Sequence, residues 1–126
     1  MKKSIGYITG REFMELAAMK ESKVLSTPKS LNRKIGKVNI LEVPDIEKYV
    51  EQDEIIISTL FPFKDDLTEF IKLLRKLAAQ NITGFAIKPR RFIQEIPEEV
   101  IQIAKEFDML LIELPDTTVF ADVVYE

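Results

Sequence analysis

Apolar positions along the chain follow two alternating spacings. Short β-branched runs are separated by stretches where apolar residues recur every three or four positions. The clearest run is Glu54-Ile55-Ile56-Ile57-Ser58-Thr59-Leu60. It has the unbroken hydrophobicity of a strand buried on both faces. Gly84 to Lys88 and Leu110 to Leu114 are shorter runs of the same kind. A longer candidate runs from Ile35 to Val43, and Val24-Leu25-Ser26 reads as an edge. The best helix spans Asp66 to Gln80, with Leu67, Phe70, Ile71, Leu74, Leu77 and Ala78 on one face and a box-like start at Asp66 and Glu69. A helix opening with Pro97 at its first position carries the stripe Val100, Ile103, Ala104 and Phe107. A first helix is predicted from about Thr9 to Met19. Thr9 and Glu12 have capping-box spacing there, and Ile8 and Phe13 have staple spacing. Asp45 can cap a short turn carrying Ile46, Tyr49 and Val50.

Strands alternating with amphipathic helices imply crossover connections and a mainly parallel sheet. The pattern predicts a small single α/β domain over residues 1–126. Its sheet has about four to five strands, near 38–43, 55–60, 84–88 and 110–114, with 23–26 as an edge and helices packed on it. Strand order is not legible from the pattern. Proline follows each main strand, at Pro44, Pro62, Pro89 and Pro115. Proline ends a ladder. It also stiffens the loops at the strand carboxyl ends, where open α/β sheets bind ligands.

Composition narrows the chemistry. The 126 residues include no cysteine, histidine or tryptophan. Thiolate nucleophiles, disulfides, imidazole bases and most zinc or iron sites are thereby excluded. No phosphate-loop, dinucleotide or nucleophile-elbow motif occurs. The paired acids Asp65/Asp66 and Glu98/Glu99 fall at helix starts, where capping explains them. The chain is expected not to be an enzyme and to need no cofactor or metal. The net charge of −3 argues against strong phosphate binding. The run Lys29, Arg33, Lys34 and Lys37 reads as a solvated loop. No stretch approaches the ~20 apolar residues of a membrane span. No apolar leader opens the sequence, so a cytoplasmic location is expected.

Candidate site residues cluster at the predicted strand ends. Lys88, Arg90 and Arg91 follow the run at 84–88 and can grip a carboxylate or phosphate. Ser58 and Thr59 end a neighbouring run and can donate hydroxyl hydrogen bonds, and Glu42 ends an earlier one and can accept an N–H. The bland alternative pairs the basic side chains with Glu95, Glu98 or Glu99 on the surface. Near the C-terminus, Val119, Phe120, Val123, Val124 and Tyr125 leave an apolar tail that must dock or pair with a copy. Phe120, Val123 and Val124 are its interface candidates. Residues 120–126 also read as the start of a linker to further domains.

Several of these segments resemble, in order, the N-terminal domain of the purine catabolism regulator (PucR-like) family of bacterial transcription factors. They are Thr9-Gly10-Arg11-Glu12-Phe13-Met14-Glu15-Leu16, Val38-Asn39-Ile40-Leu41-Glu42-Val43-Pro44-Asp45, Asp53-Glu54-Ile55-Ile56-Ile57-Ser58-Thr59, Gly84-Phe85-Ala86-Ile87-Lys88 with Arg90, Arg91, Phe92 and Ile96-Pro97, and Glu113-Leu114-Pro115 with Phe120-Ala121-Asp122. The resemblance implies a sensory or regulatory module placed ahead of a middle domain and a helix-turn-helix. It implies a purine-pathway small-molecule effector and contacts with the parent regulator's other domains. The alternative is an interaction module that dimerises without a ligand. No specific DNA binding by this chain is expected. Two positions depart from the family pattern. Gln52-Asp53 stand where a glycine pair is common, and Leu60 stands where glycine tends to follow the Thr-Thr. Loss of that glycine favours a structural role for the strand end.

Overall fold

A computed structural model describes residues 7–90 and 93–124. The elements run β1 (Ile8–Thr9), α1 (Gly10–Met14), β2 (Lys23–Val24), β3 (Lys34–Ile35), β4 (Lys37–Ile40), β5 (Glu54–Ser58), α2 (Leu67–Ala79), β6 (Gly84–Ile87), α3 (Glu98–Glu106), β7 (Leu110–Glu113) and α4 (Phe120–Val124). Single turns of 3₁₀ helix punctuate the connections. The main sheet has strand order β2-β7-β6-β5-β4. The three pairings among β4 to β7 are parallel and β2 joins antiparallel, which makes this the mainly parallel α/β domain the pattern predicts.

Strands β4 to β7 lie side by side in sequence order. Successive crossovers in one direction place their connections on one face. That face is filled by α2, α3 and the 46–48 and 61–63 turns, which cover Ile56, Phe85, Ile87 and Leu111. Phe70 anchors it, edge-on to Phe85 at 5.2 Å and tilted against Phe63 at 5.3 Å. Ile55, Ile57, Ala86, Leu110 and Ile112 point the other way, beneath Phe13, Met19, Ile35 and Val123. The β-branched runs are thus buried on both sides because each face has its own cover.

The N-terminal helix is shorter than predicted. The capping box at Thr9 and Glu12 forms, but α1 ends at Met14. Leu16 is extended, and a 3₁₀ turn at Ala17–Met19 carries Met19 into the core. A narrow apolar face gives a short helix little packing to sustain more turns. The loop 27–34 contains a 3₁₀ turn, Pro28–Asn32, and β3, which pairs antiparallel with β1. Two-residue strands leave no period to read.

The basic run there is largely engaged. The Arg33 guanidinium donates to the carbonyls of Ile82 (3.1 Å) and Asp108 (3.4 Å). Lys34 lies over the Tyr7 ring, and Lys37 pairs with buried Glu54 at 3.8 Å.

Strand β5 stops at Ser58 because Leu60 takes a left-handed backbone, φ 63°. In α2, Asp66 caps the Thr68 N–H as expected, while Glu69 turns to Lys72. Leu73 joins the buried face. Pro97 is the N-cap of α3 rather than its first residue. Phe107 falls beyond the last turn and is 40% exposed, and Met109 takes the core position instead.

Gly84 needs to be glycine. A Cβ there would lie 1.7 Å from the Leu110 carbonyl oxygen. A backbone atom held in the sheet cannot yield as a side chain can. Gly84→Ala is therefore expected to cost at least about 3 kcal/mol, at or above the usual range for overpacking. Denaturant unfolding checks this, and a loss under about 1 kcal/mol would show that the β6–β7 register can shift.

Candidate functional site

The carboxyl ends of β4, β5, β6 and β7 share one edge, because these strands are parallel neighbours. Glu42, Ser58 and Thr59 meet there. Glu42 Oε1 accepts from Ser58 Oγ at 2.5 Å and from the Thr59 N–H at 3.1 Å. Glu42 Oε2 accepts from the Thr59 hydroxyl and from the same N–H at 3.1 Å. Ser58 Oγ in turn accepts the Leu60 N–H at 2.9 Å. The three residues predicted as ligand contacts are thus brought together, and they satisfy one another. The carboxylate takes the donors left where β5 ends.

The basic corner lies beside them. Residue 88 continues β6, and its N–H donates to the Ser58 carbonyl at 3.0 Å. Half-buried Lys88 donates from Nζ to the Thr118 carbonyl at 2.9 Å and lies 5.7 Å from the Phe120 ring centre. Arg90 has a left-handed backbone, φ 80°, and a half-exposed side chain. Its guanidinium pairs with Glu113 at 3.2 Å and Asp116 at 3.6 Å. These partners differ from Glu95, Glu98 and Glu99, the acids nearest in sequence. Glu113 ends β7, and its register opposite Ile87 brings it to Arg90. Sequence distance hides that contact, although the end-of-strand position of Glu113 is its signal. Lys88, Pro89, Arg90 and Asp116 line an open cavity of about 240 Å³. Arg91 lies outside the described residues.

The tail folds back on its own domain. Val123 is 2% exposed in the second core, with Phe120 and Val124 packed against that core. Val119 is 56% exposed. Tyr125 lies outside the described residues. Among the described residues no group of three or more Asp or Glu is placed to hold a metal ion. No helix there is long and apolar enough to cross a membrane.

Residue reasoning missed another cavity, of about 320 Å³, between α2 and the loops holding Pro44 and Pro62. Those two prolines after β4 and β5 were its one signal.

This architecture, a mainly parallel sheet with polar clusters along one edge, has a solved counterpart. The chain is similar in fold to the CBS and DRTGG domains of the regulatory region of a Clostridium perfringens pyrophosphatase, crystallised with its activator diadenosine tetraphosphate. The match has a TM-score of 0.60 at 14% identity and covers 98% of this chain and 52% of that one. The description of the purine catabolism regulatory protein-like family matches residues 12–126, and the chain belongs to that family. It is 26% identical over 113 residues to the purine catabolism regulatory protein of Bacillus subtilis strain 168. That alignment covers 90% of this chain and 21% of the relative, so the chain spans about a fifth of the relative's length.

The Glu42 cluster makes a stability prediction. Glu42→Ala leaves an N–H and two hydroxyls without their acceptor and is expected to cost about 2 kcal/mol. Glu42→Gln keeps one acceptor oxygen and should cost about half as much. Glu106→Ala, which removes an exposed pair with Arg75, should change stability by less than about 0.5 kcal/mol. Urea unfolding of the three variants tests the ordering.

Proposed function

We propose that this chain is a regulatory input domain of a purine-catabolism-type transcriptional regulator, and that it senses a small anionic metabolite at the Lys88–Arg90 corner. The observation that carries the reading is the pair of cations at the carboxyl end of β6, opening on a cavity. Their present partners are exchangeable. The half-exposed Arg90 guanidinium is held by partly buried Glu113 and exposed Asp116, and pairs that open to solvent contribute about 0–1 kcal/mol. Lys88 uses one of three donors on a carbonyl. An incoming carboxylate or phosphate offers both groups a stronger, charge-assisted acceptor. The fold neighbour's activator is polyanionic, which supports the class of ligand. Family membership supports a purine-pathway effector and a parent protein with further domains.

In this reading Glu42, Ser58 and Thr59 hold the strand end in place beside the ligand. The signal leaves through α4, because Lys88 touches both Thr118 and Phe120. The sensing role needs no catalytic step.

A second reading has its own observation. Strand β4 is an open sheet edge, with Ile40 and Tyr49 exposed nearby in sequence. Open edges pair readily with other chains. On this reading the domain joins a second copy or a neighbouring domain without a ligand, with Val119 and Phe120 of the tail at the rim.

Thermal shifts against purines, ureides and nucleotides separate the two. A ligand at about 100 times its Kd adds about 2.7 kcal/mol. For a domain of this size that raises the midpoint by roughly 8–15 °C. The expected result is a rise with one anionic class that Arg90→Ala and Lys88→Ala reduce. No rise, together with a dimer in light scattering, supports the interaction module.

A further inference from the structure

One short turn meets both cations of the Lys88–Arg90 corner. The chain leaves β7 at Leu114, whose N–H donates to the Ile87 carbonyl at 2.8 Å and pins the start of the turn to the end of β6. Residues 115–118 then close on themselves, with the Thr118 N–H donating to the Pro115 carbonyl at 3.1 Å. From this one turn the Asp116 carboxylate faces Arg90 Nη1 at 3.6 Å, and the Thr118 carbonyl accepts from Lys88 Nζ at 2.9 Å. Helix α4 begins two residues further on, at Phe120.

The two acids on Arg90 differ in kind. Glu113 accepts a hydrogen bond from Nη2 at 3.2 Å and is fixed by its place at the end of β7. Asp116 stands beyond hydrogen-bond range, is largely exposed, and lines the open cavity with Lys88, Pro89 and Arg90. Glu113 therefore orients the guanidinium, while Asp116 only neutralises its Nη1 side. An anion entering the cavity needs the two groups that the turn already holds.

We propose that the 115–118 turn is an internal competitor for the anion site, its Asp116 carboxylate and Thr118 carbonyl holding Arg90 and Lys88 until an external carboxylate or phosphate displaces them. The inference rests on the reading of this corner as an anion site. The incoming anion takes Nη1 and the Lys88 ammonium, and Arg90 stays on Glu113 through Nη2. Asp116 returns to water at little cost, because its pair with Arg90 is open to solvent. Thr118 is buried, so its carbonyl, deprived of the ammonium, has to turn toward water. Occupancy thus lifts the turn at the root of α4. By linkage, whatever weakens the turn's hold on the cations tightens the anion's.

Titration of the ¹⁵N-labelled chain with inorganic phosphate and with pyrophosphate, followed by two-dimensional NMR at constant ionic strength, tests this. In the parent at least one of the two should give saturable shifts at the Lys88 and Arg90 amides and also at those of Asp116 and Thr118. Asp116→Asn keeps the side chain's shape, removes its charge and sits at an exposed position. It should bind the same anion about two- to fivefold tighter, the fold-change of losing one exposed ion pair. Asp122→Asn takes a charge from α4, forms no ion pair among the described residues, and should bind as the parent does. Arg90→Ala should lose the binding. The proposal is overturned if Asp116→Asn binds no tighter, if Asp122→Asn tightens binding equally, or if the saturated parent shows no shift at Asp116 and Thr118. In each of those cases, binding by the parent that Arg90→Ala loses keeps the anion site and removes only the competitor. No saturable shift at Lys88 and Arg90 in either the parent or Asp116→Asn removes both.

Discussion

At the start of β6 the backbone of Gly84 lies against that of Leu110, closer than any side chain would allow. That contact sets the β6–β7 register, and further ties fix the same end of the sheet. The Leu110 N–H donates to the Thr83 carbonyl at 2.9 Å, and the Thr83 N–H to the Glu54 carbonyl at 2.8 Å. The Thr83 hydroxyl bonds the Lys34 carbonyl, and Arg33 reaches the carbonyls of Ile82 and Asp108. The amino-terminal edge of the strands is thus held by close backbone contacts, reinforced by the Thr83 hydroxyl and the Arg33 guanidinium. Strand positions downstream, and so the placement of Ser58, Lys88 and Glu113, follow from this end.

The carboxyl edge is held differently. There, beyond the backbone ladder, the ties run through side chains: Glu42 on Ser58 and Thr59, Lys88 on Thr118, and Arg90 on Glu113 and Asp116. Side-chain ties can be exchanged for a ligand without breaking the sheet, whereas backbone ties cannot. The division of labour between the two edges is what allows a regulatory role on a rigid core. Both cavities touch loops at this edge, one after β6 and one after β4 and β5.

The long periodic segments were legible because each contains enough residues to show its period. Helix α2, helix α3 and strands β5, β6 and β7 all lie within a few residues of their sequence-based limits. The short pieces were not. Strands β1 and β3 exist only through their pairing with each other, and Phe107 left the core because its helix ended one residue earlier. Glu42, Ser58 and Thr59 were correctly grouped, but their mutual satisfaction depends on distances no spacing shows. The partners of Arg90 are more than twenty positions away. Leu60 is instructive in another way. It stands where the family tends to carry glycine, yet it keeps a left-handed backbone, and its fully buried side chain offsets the strain.

The two faces of the sheet differ in how the chain assembles them. The cover of one face, α2 and α3, is made of connections between adjacent strands, so each piece closes a local loop. The cover of the other face gathers residues near both ends, with Phe13 and Met19 beside Val123. Closing that contact spans nearly the whole chain and rests on short elements. Its amides should therefore exchange with solvent through a cheaper partial opening than those beneath α2, with the parallel strands still formed. The second face, with α4 at its end, is the one expected to open first.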